Sequence, residues 1–172
     1  MDLDVDPKVL HEPIPETARG NQQSAPKFYT LKTFELSEGR SSYTLAQSDL
    51  FRLSMKVYAE GGENMMHAHA YEDHAFTILK GQATFHVGSD EKVQVVNAHQ
   101  GVFMPRGVLY RFESTGEENL VILRVGAEVD MINKELWRIK PDGTAATPDT
   151  PERRKANGYL PPVVVPGKFH FG

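Results

Sequence analysis

The chain has 172 residues, 40% hydrophobic and 24% charged, with a net charge of −4 and a pI near 6.0. That is enough to bury one core and leave length for arms, and its acidic balance excludes a polyanion-binding surface. With no cysteine, disulfides, zinc ribbons and thiol nucleophiles are excluded, and any metal must be held by nitrogen and oxygen.

The opening "MDLDVDPKVL" is acidic and lacks the form of a secretory signal, and no apolar stretch approaches a membrane span. A cytoplasmic protein is the expectation. Residues 1–27 carry Pro7, Pro13, Pro15 and Pro26 among polar residues. Proline withholds backbone donors, so an extended N-terminal arm is expected there. In "FRLSMKVYAE", Phe51, Leu53, Met55 and Val57 alternate with Arg52, Ser54 and Lys56, the period of a half-buried strand.

The short apolar runs "HAFTILK", "ATFHV", "KVQVV", "VFMP", "LYRFE" and "LVILRV" follow, separated by turn-like breaks. Even spacing of this kind predicts an all-β sandwich or closed barrel, here over residues 28–140, rather than βαβ units. Only "DMINKELWRIK", with Asp130 as an N-cap, has the pattern of a short helix. Residues 141–172 form a loop and then an apolar, proline-rich tail, "YLPPVVVPGKFHFG". Packing of that tail on the barrel or on a neighbouring subunit is expected; closure over a pocket, with His170 taking part, is the alternative.

The segment "HAHAYEDHAF" places His67, His69 and His74 within eight residues of a chain with seven histidines. On a strand, residues two apart share a face, so His67 and His69 project together as two ligands of one ion would. Imidazole suits iron, nickel, copper and zinc. Glu72 and Asp73 lie between the histidines, either as solvated loop carboxylates or as a replacement ligand or a partner that orients an imidazole. His86 and His99 read as structural, on an outer strand and in a turn.

These residues resemble the first motif of the cupin superfamily. Gly61, five residues, His67-Ala68-His69, four residues, His74, six residues and Gly81 fit its frame, with histidine where the family has glutamate. Pro105-Arg106-Gly107 supplies the turn of the second motif. Tyr110 falls on its histidine position, Ser114 on its asparagine position and His99 on its leading glycine. The resemblance covers residues 45–127 and implies a single double-stranded β-helix, or jelly-roll barrel, flanked by both arms.

Carried over position by position, it implies a metal held by His67, His69 and His74. With no carboxylate among these ligands, the ion would keep its full charge and pull strongly on anionic ligands. Tyr110 then faces the substrate or acts as an acid/base group, since a phenol of ordinary pKa near 10 is a poor ligand. Phe76, Ile78, Met55, Met104 and Phe112 are candidates for an apolar pocket. Arg124 interrupts "LVILRV" and either faces solvent or reaches a carboxylate within the barrel, where it would hold an anionic substrate.

A three-histidine cupin centre resembles those of dioxygenases that cleave carbon–carbon bonds in diketones or hydroxylated aromatic ketones. The implied function is a mononuclear enzyme with one divalent transition metal (Fe, Mn, Ni or Zn) and a small anionic or carbonyl-bearing substrate. Isomerase, lyase and hydrolase chemistry stay open, because a fold does not fix a reaction. The alternative is a non-catalytic cupin that binds or senses a small molecule, with or without metal. Family habit also implies a homodimer, with the arms available to wrap a partner subunit.

Overall fold

Alternation becomes twelve strands in a computed structural model, which describes residues 26–48, 50–59, 65–129, 138–146 and 161–172. They are β1 (Thr33–Glu38), β2 (Arg40–Gln47), β3 (Phe51–Tyr58), β4 (Ala68–His69), β5 (Glu72–Lys80) and β6 (Gln82–Val87). Then come β7 (Lys92–Asn97), β8 (Gly101–Met104), β9 (Tyr110–Ser114), β10 (Leu120–Glu128), β11 (Arg138–Ile139) and β12 (Val163–His170). A five-stranded sheet of order β2-β3-β10-β5-β8 faces the three-stranded sheet β7-β6-β9. Two strand pairs, β1-β12 and β11-β4, complete an antiparallel jelly roll.

The space between the two larger sheets is filled by Phe76, Ile78, Phe85, Phe112, Leu120 and Ile122, each no more than 2% exposed. The Phe76, Phe85 and Phe112 rings meet at centroid distances of 5.2–5.9 Å, tilted to one another, a favourable geometry for buried aromatics. Leu36, Met55, Val57, Ala59 and Val121 make a second cluster on the opposite face of the large sheet, beneath β1. Gly81, in the β5–β6 turn, has φ 76°, and a Cβ there would run into the Asn119 carbonyl. Glycine alone suits that position.

The two clusters change the reading of β3. Its apolar residues Leu53, Met55 and Val57 are buried as expected, while Phe51 is exposed. The polar set is not left to solvent: Ser54 is buried, Lys56 is half-buried, and Tyr58 on the same face enters the main core. Alternation reveals that two faces differ, but a strand lying between a barrel interior and a covering layer is enclosed on both. Met55, a pocket candidate, accordingly faces away from the barrel interior and packs on Leu36 and Val121.

The helix expected at "DMINKELWRIK", with its Asp130 cap, falls mostly on 130–137, outside the described residues. Its end, Arg138–Ile139, is strand, paired with Ala68–His69. Of the N-terminal arm, 1–25 are likewise outside. The tail strand β12 lies antiparallel to β1, with Thr33 opposite His170 and Phe34 opposite Phe169. Among the described residues there is no helix, hence none long and apolar enough to cross a membrane.

Candidate metal centre

The two sequence motifs meet as one piece of backbone. His67 and Tyr110 form an antiparallel bridge, with N–H···O distances of 3.1 and 2.9 Å in the two directions. The Pro105-Arg106-Gly107 turn docks on the histidine segment: Gly107 N donates to the His69 carbonyl at 2.7 Å, and Arg106 N to Asp73 Oδ1 at 2.8 Å. Gly107 (φ 79°) and His99 (φ 66°) both adopt left-handed backbone. His99 thus takes, at some strain, a conformation that glycine adopts freely.

Within β5, Glu72, His74, Phe76 and Ile78 alternate onto the inner face, and each is at most 2% exposed. His67 and His69 arrive beside them, at 6% and 3%. His67 Nδ1 lies 2.6 Å from the Met65 carbonyl, which can only accept, so that nitrogen carries the proton. His69 Nδ1 lies 3.3 Å from Glu72 Oε2, and a carboxylate there favours a proton on that nitrogen. With that proton on His69 Nδ1 both Nε2 atoms present lone pairs 3.2 Å apart, and with it on Nε2 they share one hydrogen bond.

Two lone pairs in this position repel unless a cation or a proton sits with them. Nitrogens bound to one tetrahedral ion at ~2.0–2.1 Å stand about 3.3 Å apart, so the spacing fits shared ligation. His74 is placed differently. Its Nδ1 meets Tyr110 Oη at 2.9 Å and its Nε2 meets Glu72 Oε2 at 2.9 Å and Arg124 Nη2. Both ring nitrogens are engaged.

Ligand-type atoms of His69, Glu72 and His74 also lie within 4.8 Å of one another. The Nε2 side of His69 is the better seat for an ion. On the other side the Arg124 guanidinium already stands against both Glu72, at 2.7 Å, and His74, and its positive charge opposes a metal there. Glu72, 3.3 Å from His69 Nδ1, then stands where carboxylates behind metal-bound imidazoles orient the ring.

Protonation states suit such a centre. Burial is the largest influence on all three imidazoles, lowering His67 and His69 to about 3 and His74 to about 4, so near neutral pH they are uncharged donors. Burial by itself would raise Glu72. Its hydrogen bonds with His69 and His74, then the charge of Arg124, overturn that and hold it well below the usual carboxylate range. Burial pushes the Tyr110 phenol well above its ordinary value, so Tyr110 stays a neutral donor.

The remaining predicted residues divide by position. Phe76 stands 5.5 Å from the His74 ring and 5.6 Å from Tyr110, and Met104 pairs with His74 across β5 and β8. Ile78 and Phe112 belong to the apolar core. Arg124 turns inward, with Nη2 taken up by Glu72 and His74, so that it holds the protein's own carboxylate. Asp73 faces outward toward Arg106.

Glu72 is the residue that sequence reasoning underrated. It is no solvated loop carboxylate, and a histidine-only cluster free of negative charge is not what forms. The signal was available: 72, 74, 76 and 78 share one strand face. Lys56 and Arg138 were missed as well. Lys56 lies on the inner face of β3, and Arg138 lies opposite His69.

Comparison with known proteins agrees with this architecture. Residues 54–126 match the family model of the cupin domain. The cupin domain of Schizosaccharomyces pombe Cnp3 superposes with a TM-score of 0.51 at 19% identity, over 58% of this chain and 72% of that one. KdgF from Halomonas sp. gives 0.47 at 13% identity, over 54% of this chain and 82% of its own. The polyketide cyclase RemF from Streptomyces resistomycificus gives 0.46 at 19%, over 56% and 76%. No curated protein matches the chain. At 19% identity, the likeness to the Cnp3 domain speaks for fold alone.

Proposed function

The chain is a member of the cupin superfamily, with its domain at residues 54–126, and on that premise we propose that it binds one divalent transition metal and acts as a mononuclear metalloenzyme on a small anionic or carbonyl-bearing molecule. The observation that carries this reading is the pair of buried imidazoles of His67 and His69, whose Nε2 atoms face one another 3.2 Å apart. The Glu72–His74 pair beside them supplies the next protein group, either as a third ligand or by fixing His69. When bound, such an ion supplies a Lewis-acid centre for substrate oxygens and, if redox-active, access to dioxygenase-like chemistry.

The protein's own groups have definable tasks. Met65 holds His67 in the tautomer that exposes Nε2, and Glu72, 3.3 Å from His69 Nδ1, favours the same tautomer there. His69 and His74 first, and then the charge of Arg124, keep Glu72 ionised. Tyr110, which bridges His67 through its backbone and His74 through its hydroxyl, places a neutral O–H donor at the edge of the centre. Phe76 keeps that edge dry.

A second reading, a cupin that binds a small molecule without metal or turnover, is favoured by one feature. The Glu72–Arg124–His74 group is self-neutralising as it stands. Elemental analysis of untagged protein separates the two. Wild type is expected to carry about one metal per chain, His67→Ala and His69→Ala to lose it, and Tyr110→Phe to keep it. Glu72→Gln, which removes the charge but keeps the shape, is expected to weaken binding at least tenfold. Retention by His74→Ala assigns the third ligand away from His74. Metal-free wild type whose melting temperature ignores added metal overturns the enzymatic reading.

A further inference from the structure

Positive charge dominates the inner wall around the histidines. Among the described residues Glu72 is the one carboxylate in the cluster, and Arg124 already answers it at 2.7 Å. Two further cations face the same place. Lys56 sits on the inner face of β3, opposite Ile122 and one step along that face from Ser54, whose partner is Arg124. Arg138 lies opposite His69 in the β4–β11 pair.

No side-chain hydrogen bond or ion pair joins Lys56 or Arg138 to another described residue. Their fields nevertheless converge. Lys56 acts on His67 and His74, Arg138 acts on His67, His69 and Tyr110, and each repels the other. Burial first, then Arg124, Arg138 and Arg40, brings the Lys56 ammonium down to about 7. Like charges gathered with no counter-ion among the described residues are unfavourable in a partly desolvated site, and a divalent metal would add to the excess.

We propose that Lys56 and Arg138 form the receptor for a carboxylate group on the small molecule that this site takes, and so select a carboxylic acid as its ligand. The inference rests on the metal-centre reading for its setting, but not for its binding groups. Arg138 offers the planar fork that matches a carboxylate, and Lys56 a point charge on the facing wall. A ligand anchored there carries its neighbouring atoms toward the facing Nε2 atoms of His67 and His69. An anion with a carbonyl or hydroxyl beside the carboxylate fits both demands.

The test is calorimetric binding of pyruvate, of its neutral counterpart pyruvamide and of inorganic phosphate, to protein of measured metal content and to chelator-treated protein. Wild type is expected to bind pyruvate at least tenfold more tightly than pyruvamide. Lys56→Met and Arg138→Met are each expected to lose that preference, and Lys56→Arg to retain it. Circular dichroism of each variant confirms that the fold persists. Pyruvate binding that ignores both methionine variants, equal affinity for pyruvamide, preference for phosphate, or no uptake of pyruvate by wild type overturns the inference. A Lys56- and Arg138-dependent preference in protein that never holds metal keeps this inference while sinking the metal centre.

Discussion

Glu72 receives Arg124 at 2.7 Å, His74 at 2.9 Å and His69 at 3.3 Å, and through that last contact favours a proton on His69 Nδ1. The same burial that prepares the imidazoles makes them sensitive to acid. In the folded, metal-free protein His67 and His69 titrate at about 3 and His74 at about 4, against 6.5 as the ordinary value. Between pH 6.5 and these values the unfolded chain binds protons that the folded one does not, so stability falls as pH falls. Glu72, depressed from 4.5, adds a loss of the same sign below its ordinary value. Thermal unfolding of chelator-treated protein is therefore expected to show a midpoint that declines steadily from about pH 6.5 downward, while above pH 7 the lowered Lys56 makes it rise as pH climbs toward the ordinary lysine value of 10.5. A midpoint that holds level to pH 4 would contradict the neutral, buried imidazoles.

The centre also depends on how β5 and β10 lie together. Gly126 is the register partner of His74, and a Cβ built on it would overlap Glu72 Oε1 and approach Arg124 Nη2 to 3.4 Å. The carboxylate occupies space that only glycine leaves open. Because Arg124 and His74 pin it, the carboxylate cannot simply step aside. Gly126→Ala is expected to displace Glu72, release His69 from its orientation and weaken metal binding about ten- to a hundredfold, the usual effect of losing a carboxylate behind a ligand. A metal titration against a competing chelator measures this; wild-type affinity would remove Glu72 from the centre. Much at this scale was legible: the clustered histidines and the resemblance to the two cupin motifs pointed to His67, His69, His74, Tyr110 and the turn at Pro105–Gly107, which the structure brings together. What stayed hidden was which polar residues point inward. Lys56 on β3 and Glu72 on β5 look like solvent-facing positions in an alternating strand. In a jelly roll one end of the interior is polar, and a single strand's pattern does not distinguish that interior from water.

Across the whole molecule, the candidate metal centre and the tail occupy opposite ends of β5. Glu72 opens that strand and Lys80 closes it, a separation of about 26 Å at ~3.3 Å per residue. The tail works at the Lys80 end. There Asn119 donates to the Leu36 carbonyl at 2.8 Å and accepts from Leu36 N at 2.7 Å, while His170 Nε2 lies 3.2 Å from Asn119 Oδ1. His170 therefore belongs to a strap that holds β1 and β12 over the second cluster, and it does not close over the histidines. The strap carries exposed apolar side chains, with Phe34 and Phe169 40% and 42% exposed and their rings 4.9 Å apart, which is where pairing of two chains through the arms would be sought. Removing residues 161–172 uncovers Leu36, worth about 2 kcal/mol, and should lower the melting temperature by roughly 5 °C for a chain of this size. Metal content and carboxylate binding are expected to stay at wild-type values, because no group of the strap reaches the centre. Sedimentation of the same truncated protein reads the assembly: a change from dimer to monomer assigns the interface to this strap, and an unchanged mass excludes it. If a folded truncated protein instead lost its metal, the two ends of the barrel would be coupled, and the separation along β5 would not insulate the centre from the strap.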